Sequence, residues 1–432
     1  MVSAEVNRTL TLSGAGTPGG HVLRQYWQPA ALSDELDGRP VVAVTLMGEE
    51  LVLFRDDQDR LGLIGRRCPH RGVDLRFGRL DGGGLRCPFH GWLFDVNGRC
   101  LETPAEPAGS TFCERVTHRS YPVTERNGII WAYLGPGDPP PLPGFDCLTA
   151  PGTHVFAFKG RWDCNWLQTH EVGIDPSHAQ FLHRFLQDDE PQYGRQFGDL
   201  VADTGVPMTA LMREASAPVI VAEPTGFGFR MRATRNYRNE FSHVRISNCI
   251  FPNAITISMS REMTITQWHV PIDDTASFWY AMFVSYGEPV EAEVMRNQRL
   301  AQVSLPDYRP KVGRESGWGF DPDEQRTATY TGMGNDINVH DQWAVESQGP
   351  LFDRGSEQLS PADIGIRTHR RMFLAAAAEP SMANLIGRQY SGGGPTAIDA
   401  VTTGDDFDQA WRTLDASRRA NSSWASGTDT GA

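Results

Sequence analysis

The stretch CPHRGVDLRFGRLDGGGLRCPFHGW, residues 68–92, contains two short loops of almost the same design. The first loop, CPHRG, places Cys68 two residues before His70, and the second, CPFHG, places Cys87 three residues before His90. Sixteen residues separate His70 from Cys87. A proline stiffens each loop, and the glycine that closes it tolerates a close backbone approach. The repetition predicts one site to which each loop contributes a thiol and an imidazole.

One thiol and one imidazole per loop fit a cluster of two irons. Two thiolates can hold one iron while two imidazoles hold the other, which is the ligand set of a Rieske [2Fe–2S] centre. A Cys2His2 zinc site is the alternative, but a zinc finger keeps its cysteines in one pair and its histidines in another. The spacing therefore predicts Cys68, His70, Cys87 and His90 as the ligands of a Rieske cluster.

A second candidate site lies in NWLQTHEVGIDPSHAQFLHRF, residues 165–185, where Asp175, His178 and His183 fall within nine residues. Asp175 followed by proline is a helix-start signal. On an ideal helix the two histidines would lie about 140° apart, so they can share a metal only if the helix is locally widened or their side chains reach toward each other. The alternative is a helix with a capping aspartate and two unrelated surface histidines.

Composition limits the function classes that remain. The chain has 432 residues, which favours two domains, and a formal net charge of −13 without a Lys/Arg cluster, which argues against nucleic-acid binding. No apolar run approaches the ~20 residues of a membrane helix, and residues 1–20 lack a secretion signal. Seven cysteines, an odd number, argue against a disulfide framework. These features predict a cytoplasmic protein that does not bind membranes.

The order of patterns along the chain predicts two folded units. Residues 1–20 are polar and glycine-rich and are expected to form a loosely held arm. Residues 41–64 predict an antiparallel β-meander, and five prolines in residues 136–145 suggest a stiff connector, which places a domain boundary near residue 150. Residues 200–290 are strand-rich. Helical patterns follow at 291–305 and around a segment that includes Met372, Phe373, Leu374 and Leu385, and the small polar tail 416–432 is expected to be disordered.

With both candidate sites in view, the chain resembles the α subunits of Rieske non-heme iron oxygenases, a family of aromatic-ring-hydroxylating dioxygenases and O-demethylases. The resemblance is carried by the two cluster loops and by three further segments, residues 16–36, 164–184 and 340–351. It is similar above all to the phthalate-dioxygenase-like branch. The resemblance implies an α+β protein, with an all-β Rieske [2Fe–2S] domain at 21–150 and a helix-grip catalytic domain at 151–415 built on an antiparallel sheet.

The resemblance also implies a mononuclear Fe(II) site. His178 and His183 match the histidine ligands of the family, and Asp341 resembles the ligand aspartate that completes a 2-His-1-carboxylate triad. Asp336 is the alternative carboxylate, although its surroundings fit a loop or helix cap. Asp175 matches an aspartate that links an iron-ligand histidine to a Rieske-ligand histidine of the neighbouring subunit.

The activity implied is that of an oxidoreductase that activates O₂. An NAD(P)H-dependent reductase with flavin and a [2Fe–2S] centre would supply electrons, and a head-to-tail homotrimer, or stacked trimers, would bring the cluster of one subunit to the iron of the next. The expected reaction is cis-dihydroxylation of an aromatic carboxylate in aromatic catabolism. Monooxygenation with O-demethylation of a methoxylated aromatic acid, or hydroxylation of a non-aromatic compound, is the alternative. A Rieske electron carrier would lack the mononuclear iron for which His178, His183 and Asp341 argue, and a non-catalytic binding module would have no use for a redox centre.

Substrate-binding residues are the least determined by the sequence. Four arginines on predicted strands are candidates for a carboxylate clamp, with a solvated strand face as the alternative: Arg230, Arg232, Arg235 and Arg245. His170 is either a pocket residue or a buried histidine satisfied by its neighbours. Asn165 and Gln168 are expected to orient the helix or the pocket.

Overall fold

The computed structural model of the chain describes residues 2–188, 201, 204–215, 217–379 and 386–425. The α-helices are α1 Ala4–Thr11, α2 Pro18–Arg24, α3 Asp146–Thr149, α4 Trp166–Gly173, α5 Ala179–Leu182, α6 Met208–Glu214, α7 Ala292–Gln302, α8 Pro322–Thr327, α9 Ile337–Glu346, α10 Ile364–Ala378 and α11 Phe407–Asn421.

The strands fall into two groups along the chain. The first group is β1 Gln28–Leu32, β2 Val41–Leu46, β3 Glu49–Arg55, β4 Leu61–Gly65, β5 Arg79–Asp81, β6 Gly84–Arg86, β7 Leu93–Phe94, β8 Cys100–Glu102, β9 Ser120–Tyr121, β10 Val123–Arg126 and β11 Ile129–Ala132. The second group is β12 Val155–Trp162, β13 Val219–Thr225, β14 Gly228–Tyr237, β15 Phe241–Ile250, β16 Ala254–Ser258, β17 Met263–Pro271, β18 Ser277–Ser285, β19 Val303–Ser304, β20 Arg309–Pro310 and β21 Ile398–Thr402.

The N-terminal strands form small antiparallel sheets with the orders β2-β3-β4-β9, β5-β6-β7-β8 and β1-β11-β10. Strands β2, β3 and β4 pair in sequence, which confirms the predicted meander. Between the first two sheets lies a core of buried apolar side chains that includes Phe54, Leu75 and Phe94. Cys68 and Cys87 belong to the same core, so the cluster loops are attached to a packed β-structure.

The C-terminal strands form an eight-stranded antiparallel sheet, in which seven strands follow the order β12-β18-β17-β16-β15-β14-β13 and the eighth, β21, pairs with β15. Strand β15 is shared: residues 242–246 pair with β21, and residues 248–250 pair with β16. Most side chains of β17 and β18 are buried, because helices cover the sheet. This antiparallel sheet with its covering helices, behind an all-β N-terminal unit, confirms the predicted α+β class, whereas the boundary near residue 150 stays a prediction.

Helix α4 is the central covering element, and polar side chains fix it on all sides. Asn165 caps the helix by accepting from Leu167 N at 3.1 Å, and its amide donates to the carbonyls of Thr11 and Asp274. Gln168 donates to the carbonyls of Val345 and Gly349. Because these partners come from three separate parts of the chain, α4 cannot shift without breaking buried hydrogen bonds.

A buried ion-pair network holds the other end of α4. Glu171 accepts from Arg354 Nη2 at 2.7 Å and from Arg370 Nε at 2.6 Å, and Arg370 also pairs with Glu357. Burial opposes ionisation of Glu171, but the two guanidinium groups lower its pKa. Removing one partner would leave a buried charge uncompensated, which is costly.

The expectation of a loose N-terminal arm is wrong. Residues 4–11 form α1 and residues 18–24 form α2, with Leu10 and Thr11 almost completely buried. The Thr11 carbonyl accepts hydrogen bonds from Asn165 and from the Trp166 indole. The polar composition was misleading, because these helices use their polar groups to satisfy α4.

The expectation of a disordered tail over 416–432 is also wrong as far as the structure describes it. Helix α11 continues to Asn421, Arg419 pairs with the buried Asp146 at 2.6 Å, and the Trp424 indole donates to the Ser285 carbonyl. The tail is small and polar, but buried ion pairs and one tryptophan attach it to the sheet. Residues 426–432, like Leu385 of the predicted helical segment, lie outside the described residues.

Candidate metal centres and substrate pocket

The two cluster loops have matching backbone geometry. Cys68 N donates to Val73 O at 2.9 Å and Gly72 N donates to Cys68 O at 2.8 Å, while Cys87 and Gly91 make the corresponding bonds at 2.8 and 3.0 Å. Gly72 and Gly91 have φ values of 74° and 75°, a left-handed conformation that favours glycine. Both turns therefore depend on the glycine that closes them.

These loops bring their thiols together on one side and their imidazoles together on the other. The His70 and His90 ring centroids lie 4.4 Å apart, and Trp92 stacks on His70 at 4.5 Å. Burial and the neighbouring Cys87 thiol raise the pKa of Cys68 to about 11, opposed by N–H groups that donate to its sulfur. His90 Nδ1 is buried and receives no hydrogen bond from a described residue. Two sulfurs on one side and two nitrogens on the other fit a Rieske cluster.

The second candidate centre joins two loop histidines to a helix carboxylate. Asp341 Oδ1, on α9, lies 3.3 Å from His183 Nε2 and 3.7 Å from His178 Nε2. One donor atom from each of the three residues lies within 4.8 Å of the others. Asp341 Oδ1 is buried and accepts no hydrogen bond from a described residue. Two imidazoles and one carboxylate in this arrangement fit Fe(II) with an open face.

Hydrogen bonds decide which nitrogen each imidazole presents to Asp341. His178 Nδ1 donates to the carbonyl of Asp175. His183 Nδ1 faces His340 Nδ1 at 3.5 Å, and His340 uses Nε2 to donate to Gly334 O at 2.8 Å. Because His340 Nδ1 is then an acceptor, His183 Nδ1 is the donor. Both residues therefore keep the Nε2 lone pair for a metal.

The helix that was expected to begin at Asp175-Pro176 is shorter than the pattern suggested. Asp175 Oδ1 accepts from Ser177 N at 2.7 Å, which closes a turn, and the four-residue helix α5 begins only at Ala179. His178 and His183 flank this helix. No widened helix is needed, since neither histidine lies inside a regular one.

The two candidate carboxylates have different positions. Asp336 caps α9 by accepting from Asn338 N at 3.0 Å, whereas Asp341 lies one and a half turns further along, beside the histidines. Asp175 lines the same pocket as His178 and Asp341. The structure thus brings Asp341 into the histidine pair and leaves Asp336 at the helix end; the roles of these residues as ligands stay predictions.

A pocket opens in front of the three residues, between α4 and the sheet. Its wall is mostly apolar and includes Trp162, Ile255, Ile257, Ile265 and Trp279. Two of the four candidate arginines, Arg235 and Arg245, line it. Ile255 and Ile265 are almost fully buried, so this wall suits a flat apolar body, and the arginines would favour an anionic group on it.

Arg230 and Arg232, which the sequence also suggested as a carboxylate clamp, do not line this pocket. They lie on the other face of β14, where Arg230 stacks over Trp411 at 4.7 Å and Arg232 lies 3.4 Å from Asp408. Alternate residues of a strand point to opposite faces. Arg235 is odd-numbered on the same strand and therefore points into the pocket.

Arg235 is a buried cation, and one of its three guanidinium nitrogens has no hydrogen-bond acceptor among the described residues. Nη2 donates to Pro176 O at 3.0 Å, and the Gln180 side-chain oxygen, in the orientation that satisfies its amide, accepts from Nε and Nη2 at 2.5 Å. Nη1 is buried and finds no acceptor among the described residues. Burial and the neighbouring Arg245 lower the pKa of Arg235 to about 10, so the group stays charged at neutral pH.

His170 does not line the pocket either. It is fully buried, with Nδ1 3.1 Å from His269 Nδ1 and Nε2 3.5 Å from Cys249 Sγ. The alternative interpretation, a buried histidine whose neighbours satisfy its hydrogen bonds, describes it better. Its neighbours are two further histidines, His269 and His369, and the Cys249 thiol.

Sequence reasoning missed His340 and His269. His340 orients His183, and its position directly before Asp341 was the available signal. His269, on β17, lines the pocket and contacts His170; nothing in the local sequence indicated this, because the two residues are 99 positions apart. Burial lowers the pKa of His269 to about 3, so it is neutral.

Within the part of the chain that the structure describes, no helix is both long and apolar enough to cross a membrane.

Two family descriptions match the chain. Residues 26–122 match the Rieske [2Fe-2S] domain, and residues 132–429 match the family described as LigXa C-terminal domain like. The second match covers more than half of the chain. The first range contains both cluster loops, and the second contains the three residues of the candidate iron centre.

Individual proteins match over most of their length. The chain is 32% identical to the 3-chlorobenzoate-3,4-dioxygenase oxygenase subunit of Comamonas testosteroni, covering 89% of this chain and 91% of that protein. It is 33% identical to the phthalate 4,5-dioxygenase oxygenase subunit of Pseudomonas putida, with coverages of 88% and 87%. It is 31% identical to the 5,5'-dehydrodivanillate O-demethylase oxygenase subunit of a Sphingobium species, with coverages of 87% and 80%.

A solved structure shares the fold. The Pseudomonas putida CBB5 NdmA QL mutant with caffeine has a TM-score of 0.59 and 21% identity, over 86% of this chain and 96% of that chain. At this identity the likeness concerns the fold alone.

We predict that Asp341→Ala lowers the iron content from about three atoms per chain to about two, with the visible absorption of the cluster unchanged. The reason is that Asp341 is the described carboxylate with an oxygen within 4.8 Å of one nitrogen of each histidine. Metal analysis and absorption spectra measure this, and Asp336→Ala is the matched control, expected to keep all the iron. Iron loss in Asp336→Ala with full iron in Asp341→Ala would reverse the assignment.

We also predict that His340→Phe weakens Fe(II) binding by about 10- to 100-fold, as is typical when the partner of a ligating histidine is removed. Without an acceptor at this position, His183 loses the bond that fixes its tautomer. Competition with an Fe(II) chelator measures the affinity. His340→Gln, whose side-chain oxygen can accept, should recover part of the loss; equal affinities in wild type and His340→Phe would contradict the assigned tautomers.

Proposed function

Because the chain belongs to the family of Rieske oxygenase oxygenase subunits, we propose that it hydroxylates an aromatic carboxylate held by Arg235 in front of the iron centre. As an oxygenase component, it is an oxidoreductase that receives electrons from a separate electron-transfer protein. The observation that carries the choice of substrate is Arg235, which lines the pocket and whose buried Nη1 has no acceptor among the described residues.

A substrate carboxylate could accept a hydrogen bond from Arg235 Nη1. Charge-assisted hydrogen bonds between a guanidinium and a carboxylate are short and strong, and they gain strength where water is excluded. Arg245 adds positive charge nearby, although it is partly neutralised by Asp399 at 3.4 Å. The isoleucine and tryptophan side chains of the wall would contact the faces of an aromatic ring. A carboxylate fixed at Arg235 would then orient the ring relative to His178 and Asp341.

Both metal groups of the family fit residues of this chain. Cys68, Cys87, His70 and His90 would hold the Rieske cluster, and His178, His183 and Asp341 would hold Fe(II); when bound, these groups supply electrons and O₂ activation. The protein's own side chains do the rest: His340 and the Asp175 carbonyl hold the two imidazoles in the tautomer that binds metal, Arg235 positions the substrate, and the apolar wall excludes water.

The overall reaction that we propose is cis-dihydroxylation, in which both oxygen atoms of O₂ and two hydrogens enter the ring while NAD(P)H is oxidised. O-demethylation of a methoxylated aromatic acid is the second candidate, favoured by the similarity to a protein named as an O-demethylase. Both reactions act on an aromatic acid, whose carboxylate could bind to Arg235 in the pocket. We propose further that an NAD(P)H-dependent flavin and [2Fe–2S] reductase supplies the electrons and that the protein acts in the cytoplasm.

The reaction is tested by NADH-driven O₂ uptake with a surrogate reductase, across benzoates, phthalates and their methoxylated analogues, with products analysed by mass. Gain of two oxygens and two hydrogens by one acid is the expected result. Formaldehyde with loss of a methyl group would replace the first candidate by the second. Silence across the panel, with cluster and iron both loaded, would contradict the proposed substrate class.

The role of Arg235 is tested with Arg235→Gln. We expect KM for the acid substrate to rise by about 10- to 100-fold, since a hydrogen bond to a charged group contributes about 1.5–3 kcal/mol, while KM for the matching carboxamide changes little. Arg232→Gln, on the opposite face of the same strand, is the control and should behave as wild type. If KM rose equally for the acid and the amide, Arg235 would not bind the substrate carboxylate and would only support the loop at Pro176.

We also propose a head-to-tail homotrimer in which Asp175 links His178 to a cluster histidine of the neighbour. A groove lined by Asp175 and His178 supports this arrangement. Two aromatic side chains of the groove, Phe181 and Tyr330, are 45% and 47% exposed, and Phe89 in the second cluster loop is 51% exposed. Exposed apolar side chains of this kind mark contact surfaces between proteins.

We expect the native holoenzyme to have three times the chain mass of 47.9 kDa. Phe181→Glu should dissociate it and Val219→Glu, on an exposed strand elsewhere, should not; a monomeric wild type contradicts the trimer.

A further inference from the structure

Behind the pocket, three elements bring a thiol and two imidazoles to one point. His170 lies on α4, Cys249 on β15 and His369 on α10, and each of them is completely buried. One nitrogen of each histidine and the cysteine sulfur lie within 4.8 Å of one another. The His170 and His369 ring centroids are 4.4 Å apart. Apart from the cluster loops, this group and the candidate iron centre are the two sets among the described residues whose potential ligand atoms all lie within 4.8 Å of one another.

The hydrogen bonds of His369 leave one of its nitrogens unused. Nε2 lies 2.7 Å from Pro252 O, and a carbonyl only accepts, so Nε2 carries the hydrogen. Nδ1 therefore has a lone pair. It is buried and finds no donor among the described residues.

His170 can offer a second lone pair to the same point. Its Nδ1 faces His269 Nδ1 at 3.1 Å, and its Nε2 faces Cys249 Sγ at 3.5 Å. When His170 Nδ1 donates to His269, Nε2 is left with a lone pair toward the sulfur. The thiol of Cys249 has one hydrogen for the two imidazole acceptors. Without a cation, one buried nitrogen stays unsatisfied, which is unfavourable.

We propose that His170, Cys249 and His369 form a second, structural metal site that binds Cu⁺. A thiolate and two imidazoles are soft to intermediate ligands that suit this ion. Its single charge balances the thiolate, whereas Zn²⁺ would leave a net charge in a fully buried site and usually requires a fourth ligand. Binding replaces the thiol hydrogen: Cu⁺ bonds to sulfur and one proton is released to solvent.

The position of the site indicates what it would do. It joins α4, β15 and α10, and His269 extends from it to the wall of the substrate pocket. All three donors are buried, so no position is open to substrate. The ion would therefore fix α4 and His269 from behind and take no part in oxygen chemistry.

The experiment uses the holoenzyme, with cluster and iron loaded, titrated anaerobically with Cu⁺ against a colorimetric Cu⁺ chelator. We expect one Cu⁺ per chain that survives desalting, a copper absorption edge with one sulfur and two nitrogen neighbours, and unchanged cluster absorption. Cys249→Ser and His369→Gln should each lose the copper. Cys147→Ser, at another buried cysteine, is the matched control and should keep it.

Three results would overturn the inference: no retained copper in the wild type, equal retention in Cys249→Ser, or a copper edge without sulfur. Retention of Zn²⁺ in place of Cu⁺, with the same dependence on Cys249, would overturn the choice of ion. If Cys249→Ser fails to fold, copper retention in His369→Gln and the copper absorption edge of the wild type still test the site, because both proteins keep the Cys249 sulfur.

Discussion

A hydrogen-bond acceptor at one nitrogen of an imidazole fixes the tautomer in which the other nitrogen can bind a metal, and the candidate iron centre depends on two such contacts. The Asp175 carbonyl engages His178, and His340 engages His183, so both Nε2 atoms face Asp341. Neither partner is a ligand. The short helix α5, the turn before it and the capped helix α9 all serve to bring these donors and acceptors into register.

Helix α4 is connected by hydrogen bonds to several distant parts of the molecule. Its capping residue Asn165 bonds to Thr11 of α1, and Gln168 bonds to α9 and to the loop after it. Glu171 bonds to two arginines that lie far along the chain. Buried polar groups of this kind add little net stability, but they exclude alternative positions of the helix, because any shift would leave them unpaired. The N-terminal arm and the tail are ordered for the same reason: each supplies partners to buried polar groups.

The pleat of strand β14 separates two kinds of arginine. Arg230 and Arg232 pack against α11, where aromatic rings and Asp408 accommodate them, whereas Arg235 enters the pocket. A difference of one residue in register exchanges these roles. The charge of the pocket therefore comes from strand geometry, and the same geometry places Cys249 of β15 on the covered face of the sheet, behind the pocket.

The sequence by itself determined the local chemistry. Cysteine, proline, histidine and glycine at fixed spacing within each loop predicted the cluster site, because such signals act over a few residues. The family resemblance carried by these loops and three further segments implied the α+β class. The face of β14 that looks into the pocket, the ordering of both termini, and the partners His340 and His269 were decided only by the tertiary structure. They depend on contacts between residues far apart in the chain, such as His170 with His269, and no local pattern records which distant side chain will satisfy a buried nitrogen.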